Sequence, residues 1–275
     1  FVGEPDGQFG PLTEKAVWAF EKLVLQTPRS EARGIVTNEM WQVMQRPMRI
    51  EPRRWAGKGQ ATTNHTEIYL PEQVVVFFVA DEAVLISHIS SGDGKEWREV
   101  VTVDPGEPRN PNGTEPIDIG LIGVSVTPGG VFDYDRFVVG RRQSALGGMY
   151  DPAYFNYGIA IHGAANVPLE PASHGCIRVP MSVGETFHQY VDKGDQVFVW
   201  DGVKEPEFYG DPPAPFDRVD PDWLASTTTT TLPPPSTQPA ATQPTATQPA
   251  ATQPPATQPA ATQPPATQPP ATQPA

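Results

Sequence analysis

Cys176 is the only cysteine in a chain of 275 residues. It follows His174 by two positions and His162 by fourteen, inside the run Ser173-His174-Gly175-Cys176-Ile177-Arg178. A lone cysteine forms no intramolecular disulfide, and many such residues are simply small buried apolar groups. The neighbours here point to chemistry. A thiol becomes a good nucleophile only as the thiolate, and a nearby imidazole lowers its pKa from about 8.5 to roughly 3.5–7.5. Gly175 can take a positive φ, which would aim the backbone amides of Gly175 and Cys176 at a developing oxyanion. The pattern therefore suggests a cysteine nucleophile activated by a neighbouring imidazole. A zinc site is the competing use of a cysteine among histidines. Structural zinc takes four ligands at recurring spacings, and no second cysteine exists. The five histidines are scattered along the chain, so no metal or organic cofactor is called for.

These residues need strands to hold them. Glu67-Ile68-Tyr69-Leu70, Gln73 to Val79 and Ala83 to Ser90 form successive β-favouring runs, the middle one apolar throughout, as expected for a strand buried on both faces. His88 falls within a strand and is expected to be structural. His65 stands at the entry to this region and is expected to be exposed. Residues 92–128 mix Gly and Pro with short apolar pieces, which predicts loops and short strands. Val131-Phe132 and Phe137-Val138-Val139 suggest a further strand pair across Asp133-Tyr134-Asp135. Tyr157 to Ile161 reads as the strand that delivers His162. Met181 to Lys193 is expected to be a helix with Val183, Phe187, Tyr190 and Val191 inward and His188 as a surface or packing residue. Asp195 to Trp200 closes the domain as a strand. The fold class is mainly β, a sandwich or barrel with one or two short helices.

At this point a family likeness enters. His162-Gly163, a short spacer and then Ser173-His174-Gly175-Cys176-Ile177-Arg178 resemble the active-site signature of the L,D-transpeptidases with a YkuD-type catalytic domain: His, spacer, Ser/Thr-His-Gly-Cys-x-Asn/Arg. The approach Tyr150 to Ala160 is similar to that family's, as is Thr127-Pro128-Gly129-Gly130-Val131-Phe132, where one Gly replaces a common Thr. The spacer is at the short end for the family. The resemblance implies that Cys176 forms a thioester with a peptidoglycan stem tetrapeptide and passes it to an acceptor amine, giving a 3→3 cross-link. It implies that His162 is the base and that the Gly163 carbonyl fixes its tautomer. It makes Ser173, His174, Gly175 and Arg178 the oxyanion and substrate loop. Arg178 either organises that loop, meets a substrate carboxylate, or forms a plain structural ion pair. Inhibition by carbapenem-type β-lactams is also implied. The acceptor is left open between another stem, a free D-amino acid and water.

Three rival readings stand beside this one. A sortase-like enzyme separates its Cys further from its His, and an NlpC/P60-type peptidase places the Cys first. A non-catalytic wall-associated peptidoglycan-binding protein is the alternative from another class.

The organisation expected along the chain is a partial helical peptidoglycan-binding domain at 1–45, a linker at 46–63, the catalytic domain at 64–201, an acidic Pro-containing linker at 202–226 and a disordered repeat tail at 227–275. In the first piece, Pro11 opens a helix with Ala16, Val17, Phe20, Leu23 and Val24 on one face, and Thr37 caps a second. Asp6-Gly7-Gln8-Phe9-Gly10-Pro11 and the apolar positions after it resemble the later helices of a peptidoglycan-binding module. The tail holds 14 of the 34 prolines and no charged residue, so the net charge of −13 belongs to residues 1–226. Such a tail buries no core and favours extended conformers, suited to a stalk through a wall, with threonines as candidates for O-glycosylation. The acidic balance argues against nucleic acid as a partner, and no run of about 20 apolar residues spans a membrane. Location is expected to be extracytoplasmic, in the wall or periplasm, and a chain opening at Phe1 is expected to have lost its start. The composition carries no signal for or against self-association.

Overall fold

The computed structural model describes residues 6–54, 64–107, 109–144, 146–208 and 217–228. The expected tail and the later part of the 46–63 linker lie outside the described residues. Helix α1 (Pro11–Leu23) begins with Pro at its first position, and α2 (Asn38–Met44) is capped by Thr37, whose Oγ1 accepts from the Met40 amide at 3.2 Å. The strands are β1 (His65–Tyr69), β2 (Val74–Val79), β3 (Glu82–His88), β4 (Glu96–Val103), β5 (Ile117–Val124), β6 (Gly130–Asp133), β7 (Arg136–Phe137), β8 (Arg141–Ser144), β9 (Gly147–Asn156), β10 (Ile159–Ala164), β11 (Ile177–Pro180), β12 (Gln196–Trp200) and β13 (Asp217–Val219). Two short helices, α3 (Met181–Gly184) and α4 (Pro221–Thr228), complete the set.

Three sheets result. The first has the order β3-β2-β1-β12-β6, with β1 and β12 parallel and the other pairs antiparallel. The second has the order β11-β10-β9-β7, with β8 also paired to β9. The third is β13-β5-β4.

The period of two along each strand decides where side chains go. In β2, Val75 and Phe77 enter the main core with Ile68, Val197, Val199, Phe187 and the second sheet's Ala153, Phe155, Ile159, Ile161, Ile177 and Val179. Val74, Val76 and Phe78 face the other way, into a second cluster with Tyr69, Phe198, Trp200 and Ala19 of α1. The unbroken apolar run at 74–79 is thus explained by two cores, one on each face. α1 shares the second of them, so the N-terminal helix and the strands bury apolar surface together.

Several expectations need correcting. His65 is wholly buried, stacked on Phe78 with ring centroids 4.7 Å apart and set 3.5 Å from Glu67 Oε1. Residues 92–128 hold two eight-residue strands rather than short pieces. β6 and β7 do not pair with each other: β6 joins β12 and β7 joins β9. The helix expected over 181–193 is broken into α3 and a separate 3-10 turn at Phe187–Tyr190, although Val183, Phe187 and Val191 are buried as anticipated. Beyond the closing strand, β13 and α4 pack on β5, with Trp223 lying where a Cβ on Gly120 would fall.

Candidate active site

The second sheet has an inward face and an outward face. Ile159, Ile161, Ile177 and Val179 point into the main core. Alternation therefore turns Ala160, His162, Cys176 and Arg178 to the opposite side. The register places Ile161 beside Ile177 and His162 beside Arg178 on the parallel strands β10 and β11. Cys176 precedes β11 by one residue and packs in a cluster with Ala160, Tyr154 and Met149. The candidate nucleophile, base and cation thus share one face of adjacent strands. His162 sits within β10, not at its end as the sequence suggested.

His162 Nδ1 lies 3.0 Å from the Gly163 carbonyl. That oxygen only accepts, so Nδ1 carries the hydrogen, and a neutral ring then has its lone pair on Nε2. Burial pulls the His162 pKa down to about 4, against the raising effect of the Gly163 hydrogen bond, and nearby Arg178 lowers it further. The imidazole is therefore neutral near pH 7 and able to take a proton. The thiol of Cys176 donates to the Gly158 carbonyl at 3.5 Å. Burial pushes the Cys176 pKa up, opposed by a hydrogen bond from the Ala160 backbone and by Arg178. The resting pair is thus thiol and imidazole, not the thiolate expected from the sequence. Desolvation outweighs the neighbouring groups.

The loop before β11 is tightly held. Ser173 Oγ donates to the Cys176 carbonyl at 2.6 Å and accepts from the Gly175 amide at 3.0 Å, closing a small turn around Cys176. The Gly175 amide is therefore engaged, so the pair of converging amides expected from the sequence is reduced to that of Cys176. Gly175 has φ +138°, and a Cβ there would lie 2.8 Å from the Val126 carbonyl oxygen, so only Gly fits. Thr127 Oγ1 donates to the Gly175 carbonyl at 2.6 Å and accepts from the Gly92 amide at 3.0 Å. His174 Nε2 lies 3.0 Å from Glu99 Oε1, and its ring stands edge-on to Trp97, so β4 touches the nucleophile loop directly.

His162, Ser173, His174, Cys176 and Arg178 open onto one cavity of about 820 Å³. Val103 and Leu121 of the third sheet also line it. This volume falls in the range of ordinary ligand sites. Arg109, Arg136, Arg141 and Arg142 also line it, giving an acidic protein a cationic pocket. Arg109 pairs with Asp217 at 2.8 Å and Arg142 with Glu107 at 3.0 Å. Arg136 lies over the Tyr154 ring, 3.7 Å from its centroid. Among the described residues, Arg136, Arg141 and Arg178 have no carboxylate partner, so the structural ion pair considered for Arg178 is not formed. The sequence reading missed Arg136, Arg141, Tyr154 and Glu99. None carries a local signal, and they reach the site only through strand pairing.

The model of the YkuD L,D-transpeptidase catalytic domain matches residues 32–199, more than half of the chain. The chain belongs to this family. The match begins ahead of β1 and takes in α2 as well as the first two sheets. Among solved structures, the L,D-transpeptidase of Xylanimonas cellulosilytica DSM 15894 (residues 123–326) is 26% identical, with a TM-score of 0.55 over 73% of this chain and 86% of that one. An L,D-transpeptidase from Stackebrandtia nassauensis is 18% identical over 73% of this chain and 84% of its own, with a TM-score of 0.38. The curated proteins gave no match. The mainly β architecture with a few short helices is that of the YkuD fold. No helix among the described residues is long and apolar enough to cross a membrane.

Proposed function

We propose that this YkuD domain is a peptidoglycan L,D-transpeptidase that works through a Cys176 thioester, outside the cytoplasm. The observation carrying this reading is the placement of Cys176 and a His162 whose Nδ1 is held by the Gly163 carbonyl, leaving its lone pair on Nε2, on one face of adjacent strands above one cavity. The thiol rotates away from Gly158 and gives its proton to His162 Nε2 as sulfur attacks the carbonyl of the L-centre-to-D-alanine amide. The Cys176 amide, with His174 nearby, stabilises the oxyanion; one such donor is worth about 3–4 kcal/mol. The C–N bond breaks, the proton passes from His162 to the departing amine, and a thioester remains. An acceptor amine then attacks the thioester carbonyl and loses its proton to His162, the C–S bond breaks, and the proton returns from His162 to the departing sulfur, restoring thiol and neutral imidazole. With a second stem as acceptor the product is a 3→3 cross-link. Arg178, Arg136 and Arg141 supply positive charge for the carboxylates of the stems.

In the same reading, residues 64–201 carry catalysis and 1–45 are a partial peptidoglycan-binding piece, with Phe9 and Trp41 each 57% exposed on it. The deciding experiment is intact-protein mass spectrometry after exposure to a carbapenem, paired with turnover of a disaccharide-tetrapeptide. A stable adduct on Cys176, with D-alanine release and cross-linking abolished in Cys176→Ala, is the expected result. Turnover by Cys176→Ala would remove the nucleophile assignment. No adduct on folded, reduced protein would favour a passive wall-binding role.

A further inference from the structure

Lys22 of α1 is 2% exposed and His88 of β3 is fully buried. Neither takes part in the chemistry above, yet a long aliphatic cation is rarely buried without a purpose. Lys22 Nζ lies 2.7 Å from His88 Nδ1 and 3.1 Å from the Gln73 carbonyl. On the far side of the ring, His88 Nε2 lies 2.8 Å from the Pro168 carbonyl. Pro168 belongs to the 164–172 spacer between His162 and the Cys176 loop. A carbonyl only accepts, so Nε2 donates to Pro168, and a neutral ring then presents its Nδ1 lone pair to Lys22 Nζ, whose own pKa burial pulls down to about 7. Burial and Lys22 together keep His88 neutral, with a pKa of about 3. The Gln73 carbonyl also lies 3.1 Å from His88 Nδ1, so Lys22 Nζ, that carbonyl and the ring form one buried cluster, which the imidazole links to the spacer through Pro168.

The same spacer is held at three further points. Ser90 Oγ donates to the Glu170 carbonyl at 2.8 Å, while Ser90 itself bridges Arg178. The Ser91 carbonyl accepts from the amides of Ala172 and Ser173 at 3.0 and 2.9 Å. Gln73, whose carbonyl Lys22 contacts, also holds Ser91 through its side chain. Arg29, in the turn after α1, pairs with Glu170 at 3.1 Å.

We infer that Lys22 and His88 are positioning residues: through them the N-terminal helix fixes the spacer that aims Cys176, so α1 serves the catalytic site and not only wall attachment. The inference rests on Cys176 being the nucleophile. A displacement of about 1 Å at a reacting centre lowers rates by around 100-fold, so a loosened spacer should register in turnover.

The test uses the whole chain with Lys22→Met, His88→Leu, the double variant that removes both polar partners, and His88→Gln. Glutamine can still accept from Lys22 and donate to Pro168. Turnover of the disaccharide-tetrapeptide and the rate of Cys176 alkylation by iodoacetamide are measured on variants whose circular dichroism matches the parent. The expected result is a loss of about 10- to 100-fold in kcat for Lys22→Met, His88→Leu and the double variant. KM should stay within about two-fold, the alkylation rate should change, and His88→Gln should recover kcat. Parental kcat and alkylation in the folded double variant would overturn the inference. Should the parent itself turn nothing over, the function reading falls. Alkylation then still decides: an altered rate supports the positioning role, and an unchanged rate overturns it.

Discussion

Thr127 Oγ1 donates to the carbonyl of Gly175 at 2.6 Å across 48 residues of sequence. This one hydroxyl ties the strand-leading segment before β6 to the residue preceding Cys176, and it accepts from Gly92 as well. Thr127→Val preserves shape and leaves both the Gly175 carbonyl and the Gly92 amide without their partner. The expected loss is about 1–3 kcal/mol of stability in denaturant titration, with a larger proportional fall in kcat than in KM. Thr127→Ser should retain most of both.

Because His162 is held neutral by burial, its acid limb should lie low. In a profile of kcat/KM against pH, the activity dependent on this base should fall only as pH approaches about 4, well under the ordinary histidine value. An acid limb near 6.5 would mean that the ring is solvated and charged more readily than its surroundings here allow.

Acid should also weaken the fold through two histidines. His162 and His88 have folded pKa values of about 4 and 3, both lowered from 6.5. In the unfolded chain they take up protons below about pH 6.5, so the unfolded state binds more protons and stability falls as pH drops. The contribution is fully present above pH 6.5. It is lost progressively down to pH 4 for His162 and pH 3 for His88, on the order of 3 kcal/mol for the first and 5 kcal/mol for the second. Urea midpoints measured between pH 7.5 and 4 should show the decline, and His88→Gln should flatten part of it.

Arg178 is half-buried beside Cys176 without a carboxylate partner among the described residues. Arg178→Gln should therefore leave the melting temperature close to the parent. It should raise KM for a donor with a free carboxylate by roughly ten-fold, the equivalent of one charge-assisted hydrogen bond. An amide-capped donor should lose much less, and comparing the two substrates checks the assignment.

The grouping of His162 with the Ser173–Arg178 loop was legible in the sequence because it is local: Ser173 to Arg178 are consecutive, and His162 is one strand away. The run Val74 to Phe78 was legible too, since only a strand buried on both faces needs five apolar residues in succession. His65 was not. Its burial depends on Phe78 from the paired strand β2 and on Glu67 beside it, and polarity at a domain entry suggested solvent. β4 and β5 were hidden by the Gly- and Pro-containing connection between them. Each has one apolar edge, with Val101, Val103 and Leu121 buried and Val100 and Ile117 exposed. Thr127 was quoted as part of a motif, but its partner Gly175 is fixed by tertiary structure. Lys22 carries no signal of its own in the sequence, and only the packing of α1 turns it inward.

The parallel pairing of β1 with β12 sets His65 beside Gln196 and Tyr69 beside Trp200. The central strand of the first sheet thus waits for a partner made almost at the end of the folded region. A nascent polypeptide on the ribosome holds β1 and β2 as a meander with one open edge until residue 200 has emerged, and β6 has no neighbour at all in that sheet. Non-local closure of this kind is slow. Until it happens, the growing chain exposes an unsatisfied strand to other molecules, so a stop codon before Gln196 would yield a sticky fragment in place of a smaller enzyme.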